Sequence, residues 1–517
     1  MPAKEIKELR ESGKLDEALS MAKSELEASP ENIWAKRNLA WVYYAILKKE
    51  QGNQDAFLPI ISKVLDLKLP DDEVMFYEQF CWVIGGHIFK MSKSMLSVTD
   101  KFNAVKLIFD RIKVVKIEQS KGFSFLLKSL HNAFKELPSD GQFNKDNFID
   151  NSKSYRELVD WIGFNSFLKE DFEPHEVKGR KIMSFVEQFI IAYAKVLLEG
   201  ERKKGSILRR INPERTDPFL TFLNEVIEKH PEYQYSLFYK SKLLLALERF
   251  EEAKETLLTF VKKKKNDFWV WDLLAVAYPE DIDVQIRCLC KALTLNTKES
   301  FLVNVHQKLA TLLVQKKLFK EASVEALNTI NIRKKNKWKI NNELIKYTHE
   351  NWFDKNQDLK SNKNFYHKQA LLAEELLYNN HEEVIIAIDF VNSNKKMANF
   401  IKDKSMHGFF SYRHLKINPK IGDMYKARLN KKGDEGFFTV LTIKPANGAI
   451  SECVTKISGQ LRLHQNGDFG FINDNFVPPD IVKSNNLKDG VTLSGNAILS
   501  FNKKKKEWGW RVYKINQ

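Results

Sequence analysis

The chain of 517 residues contains few cysteines, and their positions argue against a metal site. The four cysteines are Cys81, Cys288, Cys290 and Cys453. Only the middle two are close together, with a C-x-C spacing, and no second pair or nearby histidine lies at the spacing of a zinc site. We therefore expect reduced, mostly buried thiols, and neither a metal nor another cofactor.

Long apolar runs are also missing from the sequence. Lysine interrupts the most apolar stretches well short of the roughly 20 residues that a membrane-spanning helix needs. The first residues, MPAKEIKELRESGKLDEA, are charged and contain no secretory signal. The sequence therefore predicts a cytoplasmic protein that has no membrane partner.

The motifs of common catalytic sites are absent as well. There is no P-loop, no G-x-S-x-G motif and no zinc-deaminase motif, and the eleven histidines are dispersed. The string formed by Asp468, Phe469 and Gly470 lacks the glycine-rich strand, lysine strand and catalytic loop that accompany it in protein kinases. We expect a protein without catalytic residues or enzymatic activity.

Positive charge is abundant in this chain. Lysine and arginine number 83 against 67 aspartates and glutamates, which gives a formal net charge of +16 and a pI of about 9.3. Such a balance suits a polyanionic partner, either a nucleic acid or an anionic membrane surface.

Apolar residues at three- and four-residue spacing predict helices from residue 1 to about 380. Gly13, Ala18 and Pro30 begin a frame that resembles the tetratricopeptide repeat, and Ala253 and Ala322 occupy its small-residue position 69 residues apart, close to two periods of about 34. The resemblance implies a helical solenoid that holds a protein partner in its groove. The expected boundaries are 1–75 and 216–380 for repeats and 76–215 for a divergent helical segment.

The pattern changes near residue 383, where β-branched runs and glycine-containing turns begin. Residues 408–444 and 469–515 share the same order of aromatic strand, short linker, turn, strand, lysine-rich hairpin and aromatic final strand, and the expected barrels span 384–447 and 451–517. This internal repeat predicts two small β-barrels in tandem.

The stretch GQLRLHQNGDFGFINDNFVPPDIV resembles the cold-shock domain, a five-stranded oligonucleotide-binding (OB) barrel. Residues 467–472 stand for its first ribonucleoprotein motif, Lys-Gly-Phe-Gly-Phe-Ile, and residues 475–478 for its second, Val-Phe-Val-His. Asp468 replaces a glycine, Gly467 a lysine and Pro478 a histidine, and the linker between the motifs is short. The departures leave the nucleotide preference open.

Strand alternation places Phe469 and Phe471 on one face and Gly470 on the other, with Phe476 on the neighbouring strand. Three outward rings would form a surface on which bases stack. The alternative is that one or two of these rings lie in the barrel core. The side chains expected to contact phosphates are those of Arg462, His464, Lys483, Lys488, Lys503 and Lys505.

The first barrel carries a second aromatic and basic group. It consists of Phe409, Phe410, Tyr412, Arg413 and His414, followed by Lys426 and Arg428. The same letters also suit an ordinary strand with one buried face, so both interpretations stay open.

The sequence is compatible with two functions. The first is a non-catalytic adaptor that binds single-stranded nucleic acid, RNA rather than DNA, through its barrels and a protein partner through its solenoid. The second is a protein–protein interaction scaffold whose barrels do not bind nucleic acid. The combination of a solenoid with cold-shock-like barrels also resembles architectures of prokaryotic stress and genome-defence systems.

Overall fold

The computed structural model describes most of the chain. The described residues are 2–135, 151–177, 179–202, 209–354, 359–413, 415, 417–432, 437–502 and 505–516. They fall into two compact units, Met1–Phe260 and Val261–Gln517. Helices form the first unit and the beginning of the second, and two closed β-barrels follow. The predicted fold class, helical repeats followed by small barrels, is confirmed.

The first unit is built from helices that share one apolar core. Its described helices are α1 (Pro2–Glu11), α2 (Leu15–Ala28), α3 (Ile33–Lys49), α4 (Gln54–Asp66), α5 (Val74–Ser92), α6 (Val98–Ile112), α7 (Lys121–Phe134), α8 (Asn151–Ile162), α9 (Phe185–Glu199), α10 (Pro213–Lys229), α11 (Ser236–Ala246) and α12 (Phe250–Lys264). Two short antiparallel ladders join β1 (His175–Val177) to β2 (Arg180–Ile182) and β3 (Glu201–Arg202) to β4 (Arg209–Arg210). No helix in the described part of the chain is long and apolar enough to span a bilayer.

Small residues let neighbouring helices of this unit approach closely. Ala18 of α2 and Ala40 of α3 are completely buried. On α7, a Cβ atom at Gly122 would lie 2.2 Å from the backbone oxygen of Glu78 on α5. No side chain fits there, so the crossing of α5 and α7 requires glycine.

The second unit begins with helices that pack in chain order. They are α13 (Phe268–Val276), α14 (Ile282–Leu293), α15 (Glu299–Gln315), α16 (Phe319–Lys335), α17 (Asn342–His349) and α18 (Lys363–Leu376). Helix α13 packs on α14, α14 on α15 and α15 on α16, whereas α18 returns to α14. Ala322 of α16 is completely buried, as the repeat frame predicts.

A buried carboxylate connects three of these helices. Glu325 on α16 is fully buried, and its Oε2 lies 2.6 Å from Nδ1 of His306 on α15. Its Oε1 accepts hydrogen bonds from the amide of Asn362 and the hydroxyl of Tyr366 on α18. A buried carboxylate is stable only with such partners, so this network holds α18 in place just before the first barrel.

Both barrels have the same strand order. The first contains β5 (Glu383–Asn392), β6 (Met397–Asp403), β7 (Met406–Ser411), β8 (Met424–Lys431) and β9 (Phe437–Pro445), and the second contains β10 (Val454–Leu463), β11 (Gly470–Ile472), β12 (Asn475–Val477), β13 (Thr492–Asn502) and β14 (Glu507–Asn516), with helix α19 (Pro479–Ser484) after β12. The orders are β5-β6-β7-β9-β8 and β10-β11-β12-β14-β13, with the third and fifth strands parallel. This is the five-stranded arrangement of the OB fold.

The two barrels contact each other through a small apolar cluster. Its buried members are Ala387, Ile401, Cys453 and Ile498. At the edge of the cluster, Gly422 has φ +90, and a Cβ atom there would lie 2.1 Å from the ring of Tyr513. A residue with a side chain there would therefore displace the ring of Tyr513.

We expect Gly422→Ala to destabilise the packing of the barrels. A non-glycine residue at positive φ costs about 1–2 kcal/mol, and the overlap with Tyr513 should add about 1–3 kcal/mol. Gly448→Ala is the matched control, because Gly448 has φ +78 but no atom within 4 Å of its Cβ position. The measurement is thermal unfolding of both variants. Equal losses of stability would show that the contact with Tyr513 is not close.

We also expect Ala322→Leu to destabilise the helical hairpin of α15 and α16 by about 1–3 kcal/mol, because the position is fully buried. Lys334→Leu, at an exposed position of the same helix, is the control and should change the free energy of unfolding little. An unchanged denaturant midpoint for Ala322→Leu would contradict the repeat frame at this helix.

Candidate nucleic-acid interface

Four rings lie together on the outer surface of the second barrel, and we call them the aromatic patch: His464, Phe469, Phe471 and Phe476. The ring centroids of Phe471 and Phe476 are 5.7 Å apart, as are those of Phe469 and Phe476. The imidazole of His464 stacks on Phe469 at 4.5 Å, with 19° between the planes. Phe471 is 39% exposed.

The barrel has a complete core without these phenylalanines. Its buried members are Ile457, Leu461, Ile472, Val477, Val482, Ala497 and Val512. The predicted outward orientation of Phe469, Phe471 and Phe476 is thus confirmed, and their placement in the core is excluded. Removing an outward ring leaves this core intact.

Two tight turns create the patch. Between β11 and β12 the turn contains only Asn473 and Asp474, with Asn473 at φ 53, so Phe471 pairs directly with Phe476. Between β10 and β11 the backbone N–H of His464 donates to the oxygen of Phe469 at 2.8 Å, which brings the two rings together. The short linker that departs from the cold-shock pattern is therefore what aligns the rings.

Gly470 points inward, as the alternation predicts. A Cβ atom there would lie 2.6 Å from the backbone oxygen of Arg462 on the adjacent strand. The glycine between the two phenylalanines is needed because β10 and β11 approach closely at this point.

Arginines flank the rings on both sides. Arg462, Phe471, Phe476 and Arg511 are successive register partners across β10, β11, β12 and β14. Direct partners project to the same face of a sheet, so a cation stands at each end of the aromatic row. Arg511, which the sequence analysis did not single out, lies 3.8 Å from the carboxylate of Asp480.

The predicted lysines of the second barrel are spread around it. Lys483 on α19, Lys488 and Lys505 are exposed. Lys488 precedes Asp489, whose carboxylate accepts a hydrogen bond from the backbone N–H of Leu463 beside the patch. Lys503 lies outside the described residues.

The expectation for Phe410 and Tyr412 requires correction. They are only 7% and 4% exposed and belong to the core of the first barrel. Phe410 pairs with the buried Ala398, whereas Phe409 pairs with Asn399 and is 56% exposed. The register of β6 and β7 therefore turns Phe409 outward and leaves Phe410 and Tyr412 unavailable for stacking.

Lys426 and Arg428, two of the basic residues predicted for the first barrel, are engaged in contacts within the protein. Lys426 lies 3.6 Å from the carboxylate of Glu383. Arg428 donates hydrogen bonds to the backbone oxygen of Tyr378 and to the side-chain oxygen of Asn379, just after α18. Lys426 thus pairs within the barrel and Arg428 attaches the barrel to the segment after α18, which argues against the phosphate contact expected for them. Arg413 is exposed, and His414 lies outside the described residues.

A cleft of about 650 Å³, which we call the interbarrel cleft, separates the exposed parts of the two barrels. The rings that line it are the buried Phe400 and the more accessible Phe390, His407, Phe409, Phe437, Phe501 and Trp508. Sequence reasoning identified only Phe409 among them, since the strand pattern shows which residues face outward but not which outward faces meet.

Asp389 is the one carboxylate among the residues that line this cleft. It lies at a register shift of β5, between Ile388 and Phe390, and faces the second barrel like Ala387 two residues earlier. Its Oδ2 accepts a hydrogen bond of 3.1 Å from the hydroxyl of Ser500 in the second barrel, and its buried Oδ1 has no partner among the described residues. Burial raises the pKa of Asp389 to about 6, although Ser500 and Arg511 oppose the shift.

The described residues contain no cluster of three or more His, Cys, Asp or Glu side chains that could hold a metal ion. The four cysteines are buried, as predicted, and burial raises the pKa of each thiol.

Comparison with protein families identifies three segments. Residues 378–441 match the model of S1/CSD-like domain 1 of the TOTE conflict systems, and residues 455–515 match S1/CSD-like domain 2 of the same systems. Residues 234–373 match a domain of unknown function (DUF7017). Each match covers less than half of the chain.

Among solved structures, the TPR domain of P58(IPK) is 12% identical and aligns over 73% of this chain and 98% of its own length. The APC/C hetero-tetramer Cut9–Hcn1 is 14% identical over 72% of this chain and 85% of its own. Both TM-scores are 0.19, too low to compare the arrangement of the helices. No curated protein shows significant similarity to the chain. The chain thus contains two segments that are similar to the S1/CSD-like domains of TOTE conflict systems.

Proposed function

We propose that the chain is a non-catalytic adaptor that binds single-stranded RNA through its barrels and a protein partner through its helices. The aromatic patch carries the proposal. Its rings are grouped, with His464 and Phe471 exposed and Phe469 and Phe476 half-buried, and the core does not need them. Arginines stand at both ends of the row. Base stacking on such rings contributes roughly 1–3 kcal/mol per base with little sequence preference.

The S1/CSD-like matches support the same function from a separate direction. Both matched families belong to conflict systems, so we place the adaptor in a prokaryotic genome-defence setting. The competing function, a protein scaffold with inert barrels, offers no reason for an aromatic patch that the core does not require.

Asp468 favours RNA over DNA in this proposal. Its exposed carboxylate adjoins Phe469 and would repel a phosphate, but it can accept a hydrogen bond from a 2′-hydroxyl group. Only RNA offers that donor. In this proposal Asp468, which replaces a glycine of the cold-shock pattern, therefore discriminates RNA from DNA.

A groove in the second unit suits the protein partner. It has a volume of about 860 Å³ and runs along α13, α15 and the start of α17. Polar side chains from these helices line it, including Asp272, Asn304, Gln307, Lys308 and Asn341. Such side chains can hydrogen-bond to the backbone of an extended peptide, as the concave faces of helical repeats do.

The first test of the function is a titration of the full-length protein with single-stranded RNA, single-stranded DNA and duplex, repeated with Phe471→Ala. We expect the single strands to bind more tightly than duplex, with RNA ahead of DNA. The variant should weaken single-strand binding by roughly 1–3 kcal/mol. It should remain folded, because the ring lies outside the core.

Phe400→Ala provides the contrast, since Phe400 is 1% exposed in the core of the first barrel. Its loss should cost about 3–5 kcal/mol of stability. Undiminished binding by a folded Phe471→Ala protein would remove the aromatic patch from the function and favour the scaffold.

Lys505→Ala tests the phosphate contacts. We expect weaker binding to all sequences alike and a decrease of about 0.7 in the slope of log affinity against log salt, which is the value for one lost contact on a single strand. Lys426→Ala is the control, because Glu383 already pairs with this lysine. An equal change of slope in both variants would mean that net charge, and not a local contact, governs the salt dependence.

A further inference from the structure

We propose that the interbarrel cleft is a second base-binding subsite, which receives a base, preferentially guanine, from the same strand that stacks on the aromatic patch. The inference rests on the proposed function, since it assigns a further position to the bound strand. It concerns a different surface, made jointly by the two barrels.

The rings of the cleft form a connected wall. The imidazole of His407 lies 5.0 Å from Phe437 and 5.1 Å from Trp508, and Trp508 lies 5.2 Å from Phe501. These contacts join rings of both barrels edge to face. Burial lowers the pKa of His407, which favours the neutral imidazole as one more stacking ring.

Phenylalanines in this cleft remain unusually exposed for apolar side chains. Phe409 is 56% exposed, and Phe390, Phe437 and Phe501 are each 42% exposed. Grouped exposed rings in a concave site are typical of a ligand-binding surface. In the strand order of the first barrel, β6 and β7 occupy the places that β11 and β12 occupy in the second barrel. Strands β11 and β12 carry Phe471 and Phe476, so the cleft is the first barrel's counterpart of the aromatic patch.

Arg511 connects the two surfaces. On one side it is the direct register partner of Phe476 in the aromatic patch. On the other side it lines the interbarrel cleft together with Asp389 and Trp508. A strand that leaves the patch beside Phe476 meets this guanidinium before it reaches the cleft, and a guanidinium at that point can hold the intervening phosphate.

Asp389 supplies the preference for guanine. The residue is only 8% exposed, and its Oδ1 has no hydrogen-bond partner among the described residues. An ionised carboxylate only accepts hydrogen bonds. Guanine presents two adjacent donors, N1–H and the 2-amino group, whereas adenine and cytosine place a ring-nitrogen acceptor beside their amino group, and uracil flanks its N3–H with two carbonyls. Guanine is therefore the base that leaves no repulsive contact at this carboxylate.

The test uses full-length protein and RNA of alternating uridine and guanosine, of about 4 and about 16 nucleotides, which span the site sizes of one OB fold. If two subsites hold one strand, loss of either should strongly lower the affinity for the long RNA, because binding at the second subsite is intramolecular. We expect Phe409→Ala and Phe471→Ala each to lower the affinity for the long RNA about tenfold or more. The affinity for the short RNA, which can bind at either subsite, should fall by no more than about twofold in either variant.

Phe301→Ala is the control, because Phe301 is exposed on α15, away from both barrels. Phe501→Ala changes the opposite wall of the cleft and should reproduce Phe409→Ala. If Phe471→Ala weakens the long strand and both cleft variants bind like the wild type, the subsite is overturned and the proposed function stands. If the wild type binds no single strand, the proposed function itself fails.

The base preference is tested with long uridine strands that carry one guanine, moved position by position, and with inosine in its place. Inosine lacks the 2-amino group. We expect one position at which guanine binds about tenfold more tightly than inosine, and Asp389→Asn should remove that difference while stacking is retained. An Asp389→Asn protein that keeps the preference, or a wild type that shows none at any position, would overturn the role of Asp389.

Discussion

The close contact between the two barrels is the constraint on which the candidate sites depend. Each barrel closes around its own core, so nothing inside either one determines how the pair is arranged. The arrangement comes from the small apolar cluster around Ala387 and Ile498, and from Gly422, which leaves room for the ring of Tyr513. A looser contact would preserve both barrels and the aromatic patch, but it would move the two walls of the interbarrel cleft apart and separate Asp389 from Ser500.

Stability and binding use different aromatic residues in these barrels. Aliphatic side chains fill the core of the second barrel, so its phenylalanines are available on the outside. In the first barrel, Phe400, Phe410 and Tyr412 fill the core, and Phe409 faces the cleft. Because of this separation, binding can be tested by mutation without loss of the fold, since removal of an outer ring changes the surface without creating a cavity.

The charge of the chain is less informative than its distribution. Several cations that looked suited to phosphate are used within the protein, as Lys426 with Glu383 and Arg428 with the end of α18 show. The cations that flank the aromatic patch are instead placed by strand register, at the two ends of one row. A net charge of +16 therefore favours a polyanion in general, and the position of a few arginines decides where it would lie.

Local patterns in the sequence determined the helical repeats, the tandem barrels and the outward side of Phe469, Phe471 and Phe476. These features follow from periodicity and turn chemistry, which act over a few residues. The same local reasoning failed at Phe410 and Tyr412, because adjacent aromatic residues leave the parity of a strand ambiguous until a partner such as Ala398 sets the register. The tertiary structure alone decided the pairing of Phe476 with Arg511, the unpartnered oxygen of Asp389 and the meeting of Phe409 with Trp508 across the cleft. Phe476 and Arg511 meet because β12 and β14 pair within one barrel. Phe409 and Trp508 lie about a hundred positions apart on two separately closed barrels, and no periodicity within either segment records which outer faces will meet.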